Sequence, residues 1–295
     1  MGVGQRASRR AFLSGLAGAC AASVVPRAAP AASSRPATRA GLSFPLIDLH
    51  VHLDNSSIEQ VLPLSVERGV RFGIVEHAGT KENHYPVVLS NDEELRAYLR
   101  KLSGRAVYRG VQAEWTDWPR CFSRKALSEL DYILTDAMTY PGRNGARVKL
   151  WEPDAEERVD MADRQTFMDR FLDWQVRILA EQPIDILANV SWLPAPLAVD
   201  YDRCWTETRI RKLVDAAVRY RVAIEISSGF RLPKMRFLQI AKEAGVKFAF
   251  GSNGRYPRMG LLDYSVAAAR ELGLSPSDIF LPAPDGQKAV QRRGA

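Results

Sequence analysis

Two histidines separated by one residue, His50 and His52, are the first candidates for chemistry in this sequence. They follow a mostly apolar run, residues 44–49, that predicts a buried strand. Residues i and i+2 of a strand point to the same face, so both imidazoles would project together. Neutral imidazole is a common ligand of zinc, iron and similar metals. All four histidines, with His77 and His84, lie in one early segment, which favours a metal site over two loop histidines without a role.

Short apolar runs alternate with amphipathic helical patterns from residue 46 onward. This alternation predicts β/α units that form a parallel sheet or barrel. We count seven units, with strands predicted at 46–51, 71–77, 106–115, 131–136, 184–189, 222–227 and 246–251. A long connection, residues 137–163, follows the fourth strand and has the length of a lid or binding loop.

Polar side chains end each predicted strand, which is where the sites of parallel α/β folds lie. These residues are His50, His52, Glu76, His77, Glu114, Asp136, Asn189, Glu225 and the run 251–255. Polar loop residues are also common at such positions, but histidines and carboxylates at successive strand ends favour one shared site.

The first 40 residues differ from the rest of the chain and are predicted to be an export signal. Residues 8–13, Ser-Arg-Arg-Ala-Phe-Leu, precede an apolar run of small residues and resemble a twin-arginine signal. The run is too short for a permanent membrane span. We therefore expect folded export by the twin-arginine machinery and soluble release to the periplasm or medium. Cys20 gives a weaker match to a lipoprotein anchor.

The predicted organisation is a leader at 1–40, a barrel at 41–275 and an irregular tail at 276–295. The net charge of +7 does not indicate a nucleic-acid partner, because six arginines in the acid-free stretch before Asp48 account for most of it. Export would allow a disulfide between Cys121 and Cys204, although the sequence does not show whether they lie close together.

In their order along the chain, the strand-end motifs resemble those of the polymerase and histidinol phosphatase (PHP) family. The matching segments are 48–52, 73–77, 110–114, 131–134, 184–189, 223–227 and 250–253. The resemblance implies a distorted seven-stranded β/α (TIM-like) barrel of PHP type, with up to three metal ions, that hydrolyses phosphate esters. By motif position it implies His50 and His52 as ligands of a first metal, His77 as a ligand of a second, and Glu114 as a bridge.

Later positions depart from the family pattern, so the sequence resembles a divergent member. Met138, Asn189 and Arg255 stand where the family has histidines, and Asn253 stands where it has an aspartate. A thioether is a poor ligand for hard divalent ions, an amide is neutral, and a guanidinium cannot ligate. The remaining carboxylates are too few to balance three dications.

We therefore expect a reduced site that holds one or two divalent ions of zinc, manganese or iron. One ion would bind the pair His50 and His52 with Glu114, and a second would bind His77. The candidate ligands are His50, His52, His77, Glu114, Asn189 and Asn253.

Such a site predicts an exported metal-dependent hydrolase acting on a small, anionic molecule. Arg255 would hold the anionic group, because a guanidinium pairs with phosphate or carboxylate in a bidentate way. Glu76 or Asp136 would transfer protons. Two alternatives stay open: a non-catalytic PHP-like ligand-binding protein, and an amidohydrolase-type barrel. The latter usually needs histidines from later strands, and the sequence has none after His84.

Overall fold

The structure is a computed structural model, and it describes residues 41–293. The strands in this part of the chain are β1 (Ile47–His52), β2 (Arg71–Ala78), β3 (Val88–Leu89), β4 (Tyr108–Ala113), β5 (Tyr132–Asp136), β6 (Thr139–Pro141), β7 (Arg147–Lys149), β8 (Ile186–Ala188), β9 (Ala223–Ser227) and β10 (Phe248–Gly251). The helices there are α1 (Ile58–Arg68), α2 (Asp92–Leu102), α3 (Arg124–Ser128), α4 (Ala155–Arg158), α5 (Arg164–Glu181), α6 (Ala195–Ala198), α7 (Tyr201–Cys204), α8 (Glu207–Tyr220), α9 (Met235–Glu243), α10 (Asp263–Glu271) and α11 (Ala289–Arg293).

Seven parallel strands form the barrel in the order β1-β2-β4-β5-β8-β9-β10. β1 returns to the residues after β10 through a parallel bridge between Val51 and Gly254, with hydrogen bonds from His52 N to Gly254 O (2.9 Å) and from Gly254 N to His50 O (3.1 Å). The short β3 pairs with the end of β2, and β6 and β7 form a hairpin within the long connection 137–163. This architecture confirms the predicted distorted seven-stranded β/α barrel.

Tyr132, the first residue of β5, fills the barrel interior at the amino-terminal end of that strand. Its ring is buried, and its hydroxyl donates to Leu49 O across the barrel (2.8 Å). A Cβ at either Gly73 on β2 or Gly110 on β4 would overlap the Tyr132 ring or hydroxyl, so β2 and β4 both need glycine there. Apolar side chains from β1, β2, β8 and β10 complete this inner core, while a larger core lies between the sheet and the helices.

A bulge in β1 decides which way the two histidines point. Ile47 and Asp48 pair with β2 in one register, whereas Val51 and His52 pair in a register shifted by one residue. The extra residue reverses the alternation of side chains. Ile47 therefore packs in the inner core before the bulge, and His52 can face the same side after it.

Asp48, at the bulge, points to the other side and holds the loop that follows β10. Its buried carboxylate accepts hydrogen bonds from the backbone N–H groups of His50 (3.1 Å), Ser252 (2.9 Å) and Gly260 (2.8 Å). One carboxylate thus fixes both the bulge and the segment that faces it across the barrel closure.

Side-chain caps mark the starts of α1 and α2. Ser57 and Gln60 form a capping box at α1, and the Asn91 side chain accepts from Glu94 N (2.9 Å) at α2. Each cap satisfies backbone donors that have no partner within the helix. Among residues 41–293, no helix is both long and apolar enough to cross a bilayer.

The predicted leader, 1–40, lies outside the described residues. The end of the chain, predicted to be irregular, contains a 3₁₀ turn at Pro276–Asp278 and the short helix α11. Phe280 N also donates to Phe248 O (2.8 Å), which attaches this segment to the start of β10. Cys121 and Cys204 are free thiols.

Candidate metal centre

Three side chains at the carboxyl ends of β1 and β2 form a compact group of metal-ligating types. His52 ends β1, Asp54 follows it at a positive φ of 39°, and His77 lies on β2. One ligand atom from each residue lies within 4.8 Å of the others. Within the described residues, this is the group of histidine and carboxylate atoms arranged closely enough to hold one ion.

The atoms of this group lack protein partners. Both ring nitrogens of His52, Nε2 of His77 and Oδ1 of Asp54 are buried without a hydrogen bond. A buried polar atom without a partner costs about 1–3 kcal/mol, so three such residues side by side indicate a missing partner. Burial lowers the pKa of His77 to about 3 and that of His52 well below its usual value, which leaves both rings neutral. Two neutral imidazoles and a carboxylate fit a divalent ion of the zinc, manganese or iron type.

Glu114 orients His77 and does not join the group. Its Oε1 lies 2.7 Å from His77 Nδ1, and in the tautomer with the proton on Nδ1 this contact directs the Nε2 lone pair toward His52 and Asp54. Tyr85 stacks on the His77 ring, with 3.6 Å between ring centroids, and its hydroxyl donates to Glu114 Oε2 (3.4 Å). Burial raises the pKa of Glu114 to about 8, and the charge of Lys149 opposes this rise. The bridging role expected for Glu114 would require a different side-chain arrangement.

His50 belongs to a separate hydrogen-bond network. Its Nδ1 lies 2.7 Å from Glu225 Oε1, and its Nε2 lies 3.0 Å from Gln112 Oε1. Burial alone would lower the pKa of His50, but the negative charge of Glu225 and its hydrogen bond raise the pKa above the usual value. Both ring nitrogens are therefore occupied by protein acceptors, and the structure does not bring His50 into the group of unpartnered ligand atoms.

Asp136 and Asn189 extend this network across the barrel mouth. Gln112 Nε2 donates to Asp136 Oδ2 (3.3 Å), and Asn189 Nδ2 lies 3.5 Å from the same oxygen. Asn189 N also donates to Glu225 Oε2 (2.9 Å). Burial, and then the charge of Glu114, raise the pKa of Asp136 to about 6. Asp136 thus lies at the barrel mouth, where its strand end was predicted to be. The Asn189 amide, predicted as a metal ligand, instead contacts Asp136.

Arg255 contacts the candidate metal group directly. Its Nε donates to Asp54 Oδ2 (2.6 Å), and its Nη1 donates to the backbone and side-chain oxygens of Asn253 (3.1 Å each). The Asn253 side-chain oxygen is therefore already in use. Arg255 supplies a positive charge to the same carboxylate that an ion would use.

Glu76 lies on the opposite face of β2 from His77, because neighbouring strand residues point to opposite sides. Its carboxyl lines a different cavity, next to Tyr98 of α2. The structure does not bring Glu76 to the mouth of the barrel where a substrate would meet His77 and Asp136.

A cavity of about 320 Å³ opens beside the candidate metal group. Its walls combine polar and aromatic side chains. The lining residues are His77, Gln112, Asp136, Asn189, Asn253 and Arg255, with Tyr85, Met138, Trp151, Trp192 and Phe230 around them. The hairpin connection 137–163, predicted to be a binding loop, contributes Met138 and Trp151 to this cavity.

Asp54 and Gln112 are important in the structure but are not among the predicted site residues, and Glu225 was expected only as a polar residue at the end of its strand, without a role. Gln112 lies on β4 two residues before Glu114, which follows the strand, so alternation could have indicated it. Asp54 follows His52 by two residues, but it lies in a turn, where alternation gives no guidance. The contact of Glu225 with His50 joins residues 175 positions apart and has no local signal.

Fold and site together define a β/α barrel with a candidate metal centre at the carboxyl ends of its strands. No protein-family model matches the chain. No curated protein matches it either. Among solved structures, the histidinol phosphate phosphatase of Lactococcus lactis, complexed with zinc, L-histidinol and phosphate, is similar with a TM-score of 0.53 and 12% identity, over 77% of this chain and 92% of that chain. At this identity the likeness shows the fold, and it agrees with the PHP-type barrel that the motifs predict.

Proposed function

We propose that this protein is a metal-dependent hydrolase that cleaves phosphate esters at a reduced metal centre formed by His52, Asp54 and His77. The unpartnered, buried ligand atoms of these three residues are the observation that carries the proposal. The likeness in fold to a phosphatase complexed with zinc supports it.

We assign one divalent ion to this centre, of zinc, manganese or iron. A second ion would need ligand atoms from His50 or Glu114, and both residues are engaged with protein partners. When bound, the ion would polarise an ester oxygen and make water a better nucleophile near neutral pH.

The protein side chains would hold and orient the reacting groups. Glu114 keeps His77 in the tautomer that presents Nε2 to the centre. Asp136 faces the cavity beside His77 and would hold or release a proton there. Arg255, which contacts Asp54 through Nε, would bind the anionic group of the substrate. The aromatic walls would exclude water from this reaction space.

We also propose that the protein works outside the cytoplasm, since residues 8–13 resemble a twin-arginine signal. Fractionation of cells expressing the full chain and a variant with Arg9→Lys and Arg10→Lys would test this. Retention of the variant in the cytoplasm, with the unaltered chain exported, is the expected result.

The hydrolase proposal is tested with protein that has been stripped of metal and then given zinc, manganese or iron. The expected result is cleavage across a panel of phosphate esters that depends on the added ion and is lost in His77→Ala. His84→Ala is the matched control, because His84 is exposed and lies outside the centre. Binding of one ion without cleavage of any ester would overturn the proposal.

That negative outcome would favour a non-catalytic ligand-binding protein. The contact of Arg255 with Asp54 supports this alternative, because it satisfies part of the centre without a metal. The aromatic cavity walls could stack a planar or sugar ligand in either case. Neither observation favours an amidohydrolase-type centre, which would draw histidines from later strands.

A further inference from the structure

A second cavity lies on the outer side of β2, between β3, α2 and the start of α1. Its volume is about 840 Å³. Much of its wall is apolar, with contributions from Leu53, Ile58, Val87, Val88, Leu89 and Ala97. Pockets of roughly 300–1,000 Å³ with apolar walls and a few polar groups are typical of small-molecule sites. The hydrolase proposal gives this cavity no role, although Asp54 of the candidate metal centre lies at its edge.

Glu76 places a carboxyl group inside this cavity. The residue is 5% exposed, and its Oε2 is buried with no hydrogen-bond partner among the described residues. A buried carboxylate oxygen without a donor is costly, and a ligand with an ammonium group would supply one.

The remaining charges around the cavity are nearly all paired. Lys81 contacts Glu94 (2.8 Å), and Arg105 contacts Glu59 (2.8 Å). Asp54, which also lines the cavity, accepts from Arg255 through Oδ2 and offers its Oδ1 to the candidate metal centre. Among the described residues that line the cavity, this leaves Glu76 as the acidic group and Lys101 as the basic group to which no partner has been assigned.

We propose that this cavity binds a zwitterionic apolar amino acid or dipeptide, with its ammonium group on Glu76, its carboxylate on Lys101 and its apolar side chains against β3 and α2. A ligand of opposite polarity would place its carboxylate against Glu76. A purely apolar ligand would bury Glu76 without a donor. Only a molecule with a free amine, a free carboxylate and an apolar body matches all three parts of the cavity.

The test uses the full-length protein, stripped of metal, and isothermal titration calorimetry with leucine and leucyl-leucine. Each compound is compared with its N-acetyl derivative, which lacks the ammonium group, and with its C-terminal amide, which lacks the carboxylate. We expect one molecule bound per chain, at least about tenfold weaker binding after N-acetylation, and a smaller loss for the amide. Tighter binding of leucyl-leucine than of leucine would identify the dipeptide as the occupant, and the reverse order would identify the amino acid.

Two variants assign the contacts. Glu76→Gln should weaken binding of the unmodified compound at least about tenfold, and Lys101→Gln should weaken it severalfold without affecting the amide. Glu93→Gln is the matched control, because Glu93 lies on α2 but does not line the cavity. Absence of binding by either compound to the unaltered protein, or equal binding of the N-acetyl derivative, would overturn the proposal. Since the protein carries no metal in this test, neither outcome depends on the hydrolase activity.

Discussion

Gly251 leaves the space in which the Glu225 carboxylate lies against His50. A Cβ at position 251 would overlap Glu225 Oε1, the oxygen that lies 2.7 Å from His50 Nδ1. Because Gly251 of β10 has no side chain, Glu225 of β9 can place its carboxylate against His50 in the barrel mouth.

Gly251→Ala should destabilise the fold by about 1–3 kcal/mol, because Glu225 must leave its position and His50 then loses a buried acceptor. Urea unfolding monitored by tryptophan fluorescence measures the change. In the double variant with Glu225→Ala the overlap is absent, so the two effects should not add. Strict additivity would show that the contact between the two residues is not the cause.

Metal content should distinguish the two histidines of the His-x-His pair. His52→Ala should lower the bound ion from about one per chain to nearly none, since His52 offers two unpartnered nitrogens. His50→Ala should keep most of the ion, because His50 is engaged by Glu225 and Gln112. Elemental analysis of the purified proteins gives the stoichiometry. Equal loss of the ion in both variants would instead support His50 and His52 as joint ligands, as the motif resemblance implies.

Glu114→Ala should weaken metal binding by about 10–100-fold without removing a ligand atom. The reason is that His77 Nδ1 loses its acceptor, so the ring is no longer held in one tautomer and orientation. Competition with a fluorescent chelator measures the affinity. Glu82→Ala provides the comparison, since the Glu82 side chain is 77% exposed. If Glu114→Ala binds the ion as tightly as the unaltered protein, Glu114 does not position His77 for metal binding.

Arg255→Gln should tighten metal binding by up to about fivefold, because a competing cation leaves Asp54. The same change should raise the KM for an anionic substrate if the hydrolase proposal holds. Chelator competition and steady-state kinetics report the two effects separately. Arg258→Gln controls for the general loss of a positive charge in this loop. Weaker metal binding in Arg255→Gln would mean that the guanidinium supports the centre.

Stability should depend on pH through Glu76. Its pKa rises from 4.5 to about 8 on folding, so the folded state holds the proton more tightly than the unfolded state. Its contribution is present below pH 4.5 and is lost as the pH rises toward 8. The Tm of the metal-free protein relative to Glu76→Gln should therefore fall over this range. Glu59→Gln, at an exposed site, should show no such trend.

The order of elements and the position of the site were predictable because both follow from local pattern. Apolar runs and helical periodicity identify the seven barrel strands, and the strand-end rule identifies His52, His77 and Asp136. The opposite orientations of Glu76 and His77 were also available from strand alternation, since the two residues are neighbours on β2.

The partners of these side chains were not predictable in the same way. The one-residue bulge in β1 has no clear local signal, yet it sets the direction of both histidines. The contacts of His50 with Glu225 and of Arg255 with Asp54 join residues far apart in the sequence. Which imidazole is free for an ion depends on these distant contacts, and only the folded structure provides them.

The closure between β1 and the residues after β10 has a consequence for how the barrel opens. A bridge at Val51 and Gly254 joins these edges, whereas β2 and β4 pair along six consecutive residues. Backbone amides at the closure should thus exchange with deuterium before those of β2 and β4. His52 and Asp54 lie at one edge of this closure, and Arg255 contacts Asp54 from the other. The candidate ligands lie on β1, the turn after it and β2, so a bound ion would hold the β1 edge of the closure to β2 and leave opening toward the residues after β10 to the backbone bridge and the contact of Arg255 with Asp54.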